Sequence, residues 1–114
     1  MGDKDATRPF NYIKDATVMF IKILASDKNG EVYNVAGQNL ASVEDFANNV
    51  KKWANKLNKG KKMKVVIKSK KVKYYKGAVR KISADISKFK KDFGWEPKTC
   101  LDEMVKSTLK YYLE

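Results

Sequence analysis

The 114-residue chain has no histidine, one cysteine, two prolines and only two arginines among its 25 basic residues. Each scarcity closes off a class of chemistry. Without histidine, a His-based catalytic triad has no base, and a zinc site has almost no ligands to draw on. Cys100 alone cannot make an internal disulfide, which suits a reducing cytoplasm. No apolar run approaches the ~20 residues that a transmembrane helix needs. The longest, Ala16 to Ala25, is interrupted by Lys22 and reads as an amphipathic helix. No signal-peptide pattern opens the chain. The expectation is a soluble intracellular domain without a membrane partner, and the length fits one domain with a modest core.

What is abundant is lysine. Hydrophobic residues make up 43 %, as in a folded protein, and the formal charge is +12. The whole excess lies between Lys51 and Lys76, which holds 12 lysines and no acid. Outside it, 13 basic residues face 13 acidic ones. Trp53, Tyr74 and Tyr75 are interleaved with these lysines, a pattern that a nucleic-acid surface would show. Specific phosphate and base recognition favours the fixed fork of arginine, however. A bias of 23 lysines to two arginines fits lysines decorating solvated faces better, so nucleic acid is the weaker expectation.

Hydrophobic periodicity orders the chain. Ile13, Ala16, Thr17, Phe20, Ile21 and Leu24 form one helical stripe, with Asp15 suited to its N-terminus. Asp27-Lys28-Asn29-Gly30 stops it. Glu31 to Ala36 is β-rich, bounded by Gly30 and Gly37, and predicts a buried strand. Ser42-Val43-Glu44-Asp45 has the form of a capping box and opens a helix of about four turns with Val43, Phe46, Ala47, Val50, Ala54 and Leu57 inward. Asn58-Lys59-Gly60 ends that helix. Met63 to Ile67 predicts a strand, and Lys68 to Gly77 an exposed loop. Asp85 is placed to cap a short helix carrying Ile86, Phe89 and Phe93, closed by Gly94. Trp95-Glu96-Pro97 reads as a rigid extended connection. Thr99-Cys100-Leu101-Asp102 predicts a second capping box, before a final helix with Leu101, Met104, Val105, Thr108, Leu109 and Tyr112 inward. The fold class expected is α/β: about four helices packed on a few short strands.

On their own, these residues offer no catalytic constellation. The six glycines form neither a dinucleotide fingerprint nor a P-loop. The acids fall mostly at helix starts, where capping explains them. Cys100 follows an expected N-cap but has no histidine to act as its base. Arg8 and Arg80 stand out because arginine is so rare here. Each offers bidentate geometry toward a carboxylate or a phosphate, or a salt bridge to one of the chain's own acids.

The order of motifs resembles the C-terminal part of the extended short-chain dehydrogenase/reductases, the NAD-dependent nucleotide-sugar epimerase and dehydratase family. Gly2-Asp3 and Thr7-Arg8-Pro9-Phe10-Asn11-Tyr12-Ile13-Lys14-Asp15 resemble its G-D-G…R-[DPS]-F-x-Y-[VI]-x-D segment. Gly30 to Ala36 resembles G-x-x-Y-N-[VIL]-[GA], and Ser42 to Ala47 resembles S-[IV]-x-[ED]-[LF]-A. Asp85-Ile86-Ser87-Lys88 through Gly94-Trp95-Glu96-Pro97 is similar to D-x-S-K…[LF]-G-W-x-P. The terminal helix resembles L-x-E-[GM]. Five motifs recur in order over nearly the whole chain.

The resemblance implies that residues 1–114 form a nucleotide-sugar-binding domain, a piece of a larger enzyme without its Rossmann domain. NAD and catalysis would belong to that absent portion, which carries Y-x-x-x-K in this family, and this chain alone would bind no cofactor. Here no tyrosine is followed by lysine four residues on. The resemblance gives Arg8 the nucleotide diphosphate or ribose, and places Arg80 near the phosphates, with Tyr75 as the other occupant of that place. Pro9 replaces the commoner aspartate and removes a backbone donor. Met1-Gly2-Asp3 begins inside a family motif, as in a cut chain or a truncated gene. The family's enzymes are commonly dimers and act as isomerases or lyases. Two other expectations stand beside this one: a stand-alone basic module for nucleic acid or acidic partners, and self-association through apolar surface that the Rossmann domain would cover.

Overall fold

Local chemistry sets where the elements begin and end. In the computed structural model, which describes residues 6–28, 30–58, 62, 64, 66 and 81–113, the order is β1 (Thr7–Phe10), α1 (Ile13–Leu24), β2 (Asn39–Ser42), α2 (Val43–Leu57), α3 (Ser87–Phe93) and α4 (Leu101–Leu113). Four helices and a two-stranded sheet make a small α/β domain. The strand expected at Met63–Ile67 falls mostly outside the described residues, as does the loop that follows it.

The capping box that starts α2 forms as the sequence predicts. Asp45 N–H donates to Ser42 Oγ at 3.0 Å, and Ser42 N–H donates back to Asp45 Oδ2 at 3.2 Å. Ser42 is also the last residue of β2, so strand passes into helix without a loop. In front of α3, the Asp85 carboxylate accepts from Ser87 N–H at 2.8 Å and from the Ser87 hydroxyl. Gly94 closes α3 at φ 59°, a left-handed conformation that side chains other than glycine's adopt at a cost. The second box does not form as expected. Asp102 turns to α2, accepting from Lys52 Nζ at 2.5 Å, while Thr99 N–H donates to Asp15 Oδ2 at 3.1 Å. Asp15 therefore ties α1 to the start of α4 while its charge stands in the first turn of its own helix, as expected.

β1 and β2 are antiparallel, with Thr7 opposite Ser42, Arg8 opposite Ala41, Pro9 opposite Leu40 and Phe10 opposite Asn39. Proline is tolerated because the ladder on the other side of β1 is a single parallel bridge, Thr7 to Lys81, among the described residues. The core is small. Met19, Ala36, Ile86 and Phe89 form its centre, with Ile23, Tyr33, Val35, Phe93 and Trp95 packed around them. A second layer joins α2 to α4, and Phe10 stacks on Phe46 with ring centroids 4.5 Å apart.

Three expectations are corrected by this packing. Glu31–Ala36 enters the core but belongs to neither strand of the described sheet. Its side chains, rather than a ladder, hold it in place. Gly37 then passes so close to β1 that a Cβ there would lie 2.1 Å from the Phe10 carbonyl oxygen. Of the stripe expected on α1, Ala16 is buried but the other members are exposed. Met19 is fully enclosed at 0 % exposure, with Ala16 beside it, whereas Ile13, Thr17, Phe20, Ile21 and Leu24 face outward, Leu24 at 84 %. Tyr112, expected inward on α4, is 76 % exposed and meets Tyr111 edge to face.

Candidate functional site

Arg8 sits at the middle of β1, half-buried, across the ladder from the buried Ala41. One Nη1–H donates to the Thr7 carbonyl at 2.8 Å, which fixes the guanidinium close to its own strand. The bridge from Thr7 to Lys81 brings the chain immediately after Arg80 alongside β1. Arg80 and Tyr75 themselves lie outside the described residues. The structure thus places Arg8 and its neighbourhood, and brings no second predicted site residue into view.

Two hollows lie near this strand, and neither is lined by Arg8. The first, about 250 Å³, is an apolar gap between β1, α2 and α4, bounded by Phe10, Phe46, Val50, Met104 and Leu109. Asn11 opens into it, and the Asn11 Oδ1 atom is buried with no hydrogen-bond partner among the described residues. The second, about 400 Å³, lies between the start of α1 and the end of α4, where Tyr12, Ile13, Tyr111 and Tyr112 meet. The first is walled mostly by hydrocarbon and ring faces and offers no charge to a diphosphate, whereas Lys14, Ser107 and Thr108 add one cation and two hydroxyls to the wall of the second.

Charge collects in two other places. On the outer side of α2 and α4, the ammonium groups of Lys52, Lys56 and Lys106 stand 5.4, 5.0 and 4.9 Å from the centre of the Trp53 ring. The Lys52 ammonium also holds the Asp102 carboxyl below its usual range through its hydrogen bond. Beside α3, Tyr33 Oη–H donates to Asp92 Oδ2 at 2.7 Å, and Lys28 Nζ lies 3.4 Å from the same oxygen. Desolvation, helped by that carboxylate, pushes the Tyr33 hydroxyl up to about 12. The bond in turn holds the Asp92 carboxyl below 3.8. A phenol so hard to ionise is a poor base, and the pair acts as a structural pin. The sequence alone could not have found it, because its partners are 59 residues apart.

The described residues contain no group of three His, Cys, Asp or Glu side chains able to hold a metal ion. No helix among them is long and apolar enough to cross a membrane. An NAD site of the dinucleotide-binding kind needs a parallel β-α-β unit and a glycine-rich turn at the helix start. The described sheet is antiparallel and the sequence has no such turn, so the residues present do not fit that cofactor.

A family model described as GDP-mannose 4,6 dehydratase matches residues 1–108. An uncharacterized protein of Methanocaldococcus jannaschii is 28 % identical over 107 residues, covering 94 % of this chain and 30 % of that protein. The crystal structure of UDP-glucuronic acid 4-epimerase from Bacillus cereus, in complex with UDP-glucuronic acid and NAD, superposes with a TM-score of 0.67 at 28 % identity. That match covers 97 % of this chain and 33 % of the epimerase. The chain spans about a third of the length of both relatives.

Proposed function

The chain belongs to the GDP-mannose 4,6-dehydratase family, as a C-terminal domain of the extended short-chain dehydrogenase/reductases, and from that premise we propose that it is the nucleotide-sugar-binding part of an epimerase or dehydratase. Arg8 anchors the diphosphate. Arg80, or Tyr75 in its place, adds a second contact. NAD, bound by a separate Rossmann portion, supplies hydride transfer to and from the sugar. This chain contributes binding and orientation, which count toward rate by holding the sugar where that chemistry occurs.

The observation that carries the reading is the setting of Arg8. It is one of two arginines in a lysine-rich chain, held on a strand within the family's R-P-F-x-Y run and opposite a small residue. A fixed fork on a strand suits a bidentate oxyanion better than a flexible lysine does. The name of the Bacillus cereus relative, which was crystallised with UDP-glucuronic acid, supplies the probe. Titrating UDP-glucuronic acid at low salt and following amide shifts, we expect changes at Thr7, Arg8, Ala41 and Lys81. Arg8→Ala should weaken binding roughly tenfold to a hundredfold, the effect of losing a charged hydrogen bond of about 1.5–3 kcal/mol. Arg8→Lys should recover only part of it. Shifts scattered over the lysines of 51–76, unchanged in Arg8→Ala, would sink the assignment.

A second reading has one observation in its favour, the three lysines gathered around Trp53 on α2 and α4. They make a surface for an acidic partner. Because the ring is already covered by ammonium groups, it is a poor platform for stacking bases. A binding constant that falls steeply with salt, without any effect of Arg8→Ala, would favour this reading over the first.

A further inference from the structure

The apolar hollow between β1, α2 and α4 has one polar fault in its wall. Its volume is about 250 Å³, and Phe10, Phe46, Val50, Met104 and Leu109 supply most of its lining. Of the residues that line it, only Asn11 and Thr108 are polar. Thr108 donates its hydroxyl proton to the Met104 carbonyl at 2.8 Å. Asn11 Oδ1 is buried and accepts nothing from the described residues. A buried acceptor without a donor forfeits the hydration it had in the unfolded chain and gets nothing back.

The backbone leaves Asn11 little room to seek a donor elsewhere. Gly37 packs so closely that a Cβ there would stand 2.8 Å from the Asn11 Cα. The amide itself still turns, because χ2 of asparagine lies in a broad well, so the oxygen can swing into the hollow to meet a donor that enters. Water suits such walls poorly. A held water makes about three hydrogen bonds, and the hollow offers it only Asn11 and the lone pairs of Thr108. Hydrocarbon suits them better, since an apolar cavity of about 150 Å³ already takes up benzene. Phe10 and Phe46 lie nearly parallel, 11° between their planes, and present faces and edges to a third ring. The buried Met104 adds a thioether, which adapts to an aromatic neighbour.

We propose that this hollow is a binding site for a small uncharged molecule of one aromatic ring bearing one hydroxyl, a simple phenol. The ring lies against Phe10, Phe46 and Met104, and its O–H donates to Asn11 Oδ1. No acid or base lines the hollow, so the ligand is held and not transformed. Arg8 does not line it either. The site is therefore separate from the nucleotide-sugar reading and stands whether or not that reading holds.

The probes are p-cresol and toluene, which share a shape and differ by the hydroxyl. Each is titrated into the 114-residue chain and followed by amide and methyl shifts. p-Cresol should saturate by about 10 mM, a weak limit for a ligand of this size in a formed pocket. The largest changes should fall on Asn11, Val50, Val105 and Leu109. It should bind roughly threefold to tenfold more tightly than toluene, the effect of one neutral hydrogen bond. Asn11→Ala should abolish that preference while toluene still binds, a result that a purely structural role for Asn11 would not produce. Leu109→Phe, which fills the hollow, should remove binding of both probes. Val50→Phe fills it from α2, so a fold lost in one filled variant, seen in its melting curve, leaves the other to decide. Equal affinity of the two probes, or a preference that survives Asn11→Ala, would overturn the proposal. So would shifts centred on Tyr111 and Tyr112, or no saturation by that concentration. UDP-glucuronic acid is titrated separately and read at Arg8 and its neighbours, so the two sites fail independently.

Discussion

Tyr33 is tied into the tertiary structure at both ends of its side chain. Its ring meets Phe89 and Phe93, with centroids 6.1 and 5.3 Å away, while its hydroxyl is committed to Asp92. The hydroxyl is raised from 10.0 to about 12, so folding favours its neutral form. That contribution is complete below pH 10 and is lost as pH rises from 10 to 12. Tyr33→Phe should therefore remove part of the alkaline fall in melting temperature, measured as the difference between wild type and variant from pH 9 to 12. Asp92 works in the opposite sense. Its carboxyl is held below 3.8, so its contribution is present above that value and fades as pH falls through the lowered one. Gly37 makes a different kind of demand: a methyl group there would run into the Phe10 carbonyl. Gly37→Ala should cost about 1–3 kcal/mol, as overpacking does, read from a urea transition. At this scale Arg8 was legible because rarity marked it. The Tyr33–Asp92 pin was not, since nothing local pairs residues so far apart. Arg80 and Tyr75, expected from the same resemblance, lie outside the described residues.

Among the elements, α2 followed its sequence most closely, although Val43, expected inward, is 51 % exposed. Both halves of its capping box are formed, and Ser42→Ala should lower stability by about 1 kcal/mol, measured by thermal or urea unfolding. The limits of α1 were equally legible, from Ile13 to Leu24, but which side faces inward was not. Periodicity finds the apolar face of a helix without saying what covers it, and here the contacts inside this chain go to Met19 and Ile23 instead. The same ambiguity misplaced Tyr112. In the segment 31–36 composition spoke for a strand, yet a strand exists only where a neighbour offers its hydrogen-bonding edge, and the sequence of one segment cannot supply that. The Thr99 box failed through competition. Asp102 has a lysine on α2 within reach, and Thr99 has Asp15, so the local pattern lost to longer-range partners.

The whole molecule spreads where compact domains close. Its extents are 50 × 44 × 16 Å and its radius of gyration is 17.2 Å, against about 13 Å for a compact chain of this length. Its accessible surface of 8868 Å² likewise exceeds the ~6,400 Å² that its mass would give. Unfolding then exposes less new surface than usual. The urea m-value should be about four-fifths of that of a compact domain of equal size. The tie between Asp15 and Thr99 has a consequence in time. It spans 84 residues, and the bond from Asn39 to Thr99 spans 60. On a ribosome adding ~5–20 residues each second, α1 emerges roughly 5–15 s before Thr99 does. For that interval the most apolar helix described lacks its far anchor, with Phe20, Ile21 and Leu24 in water. The bonds to Thr99 are then the last latch to close, and until they form α1 is held only by partners near it in the sequence.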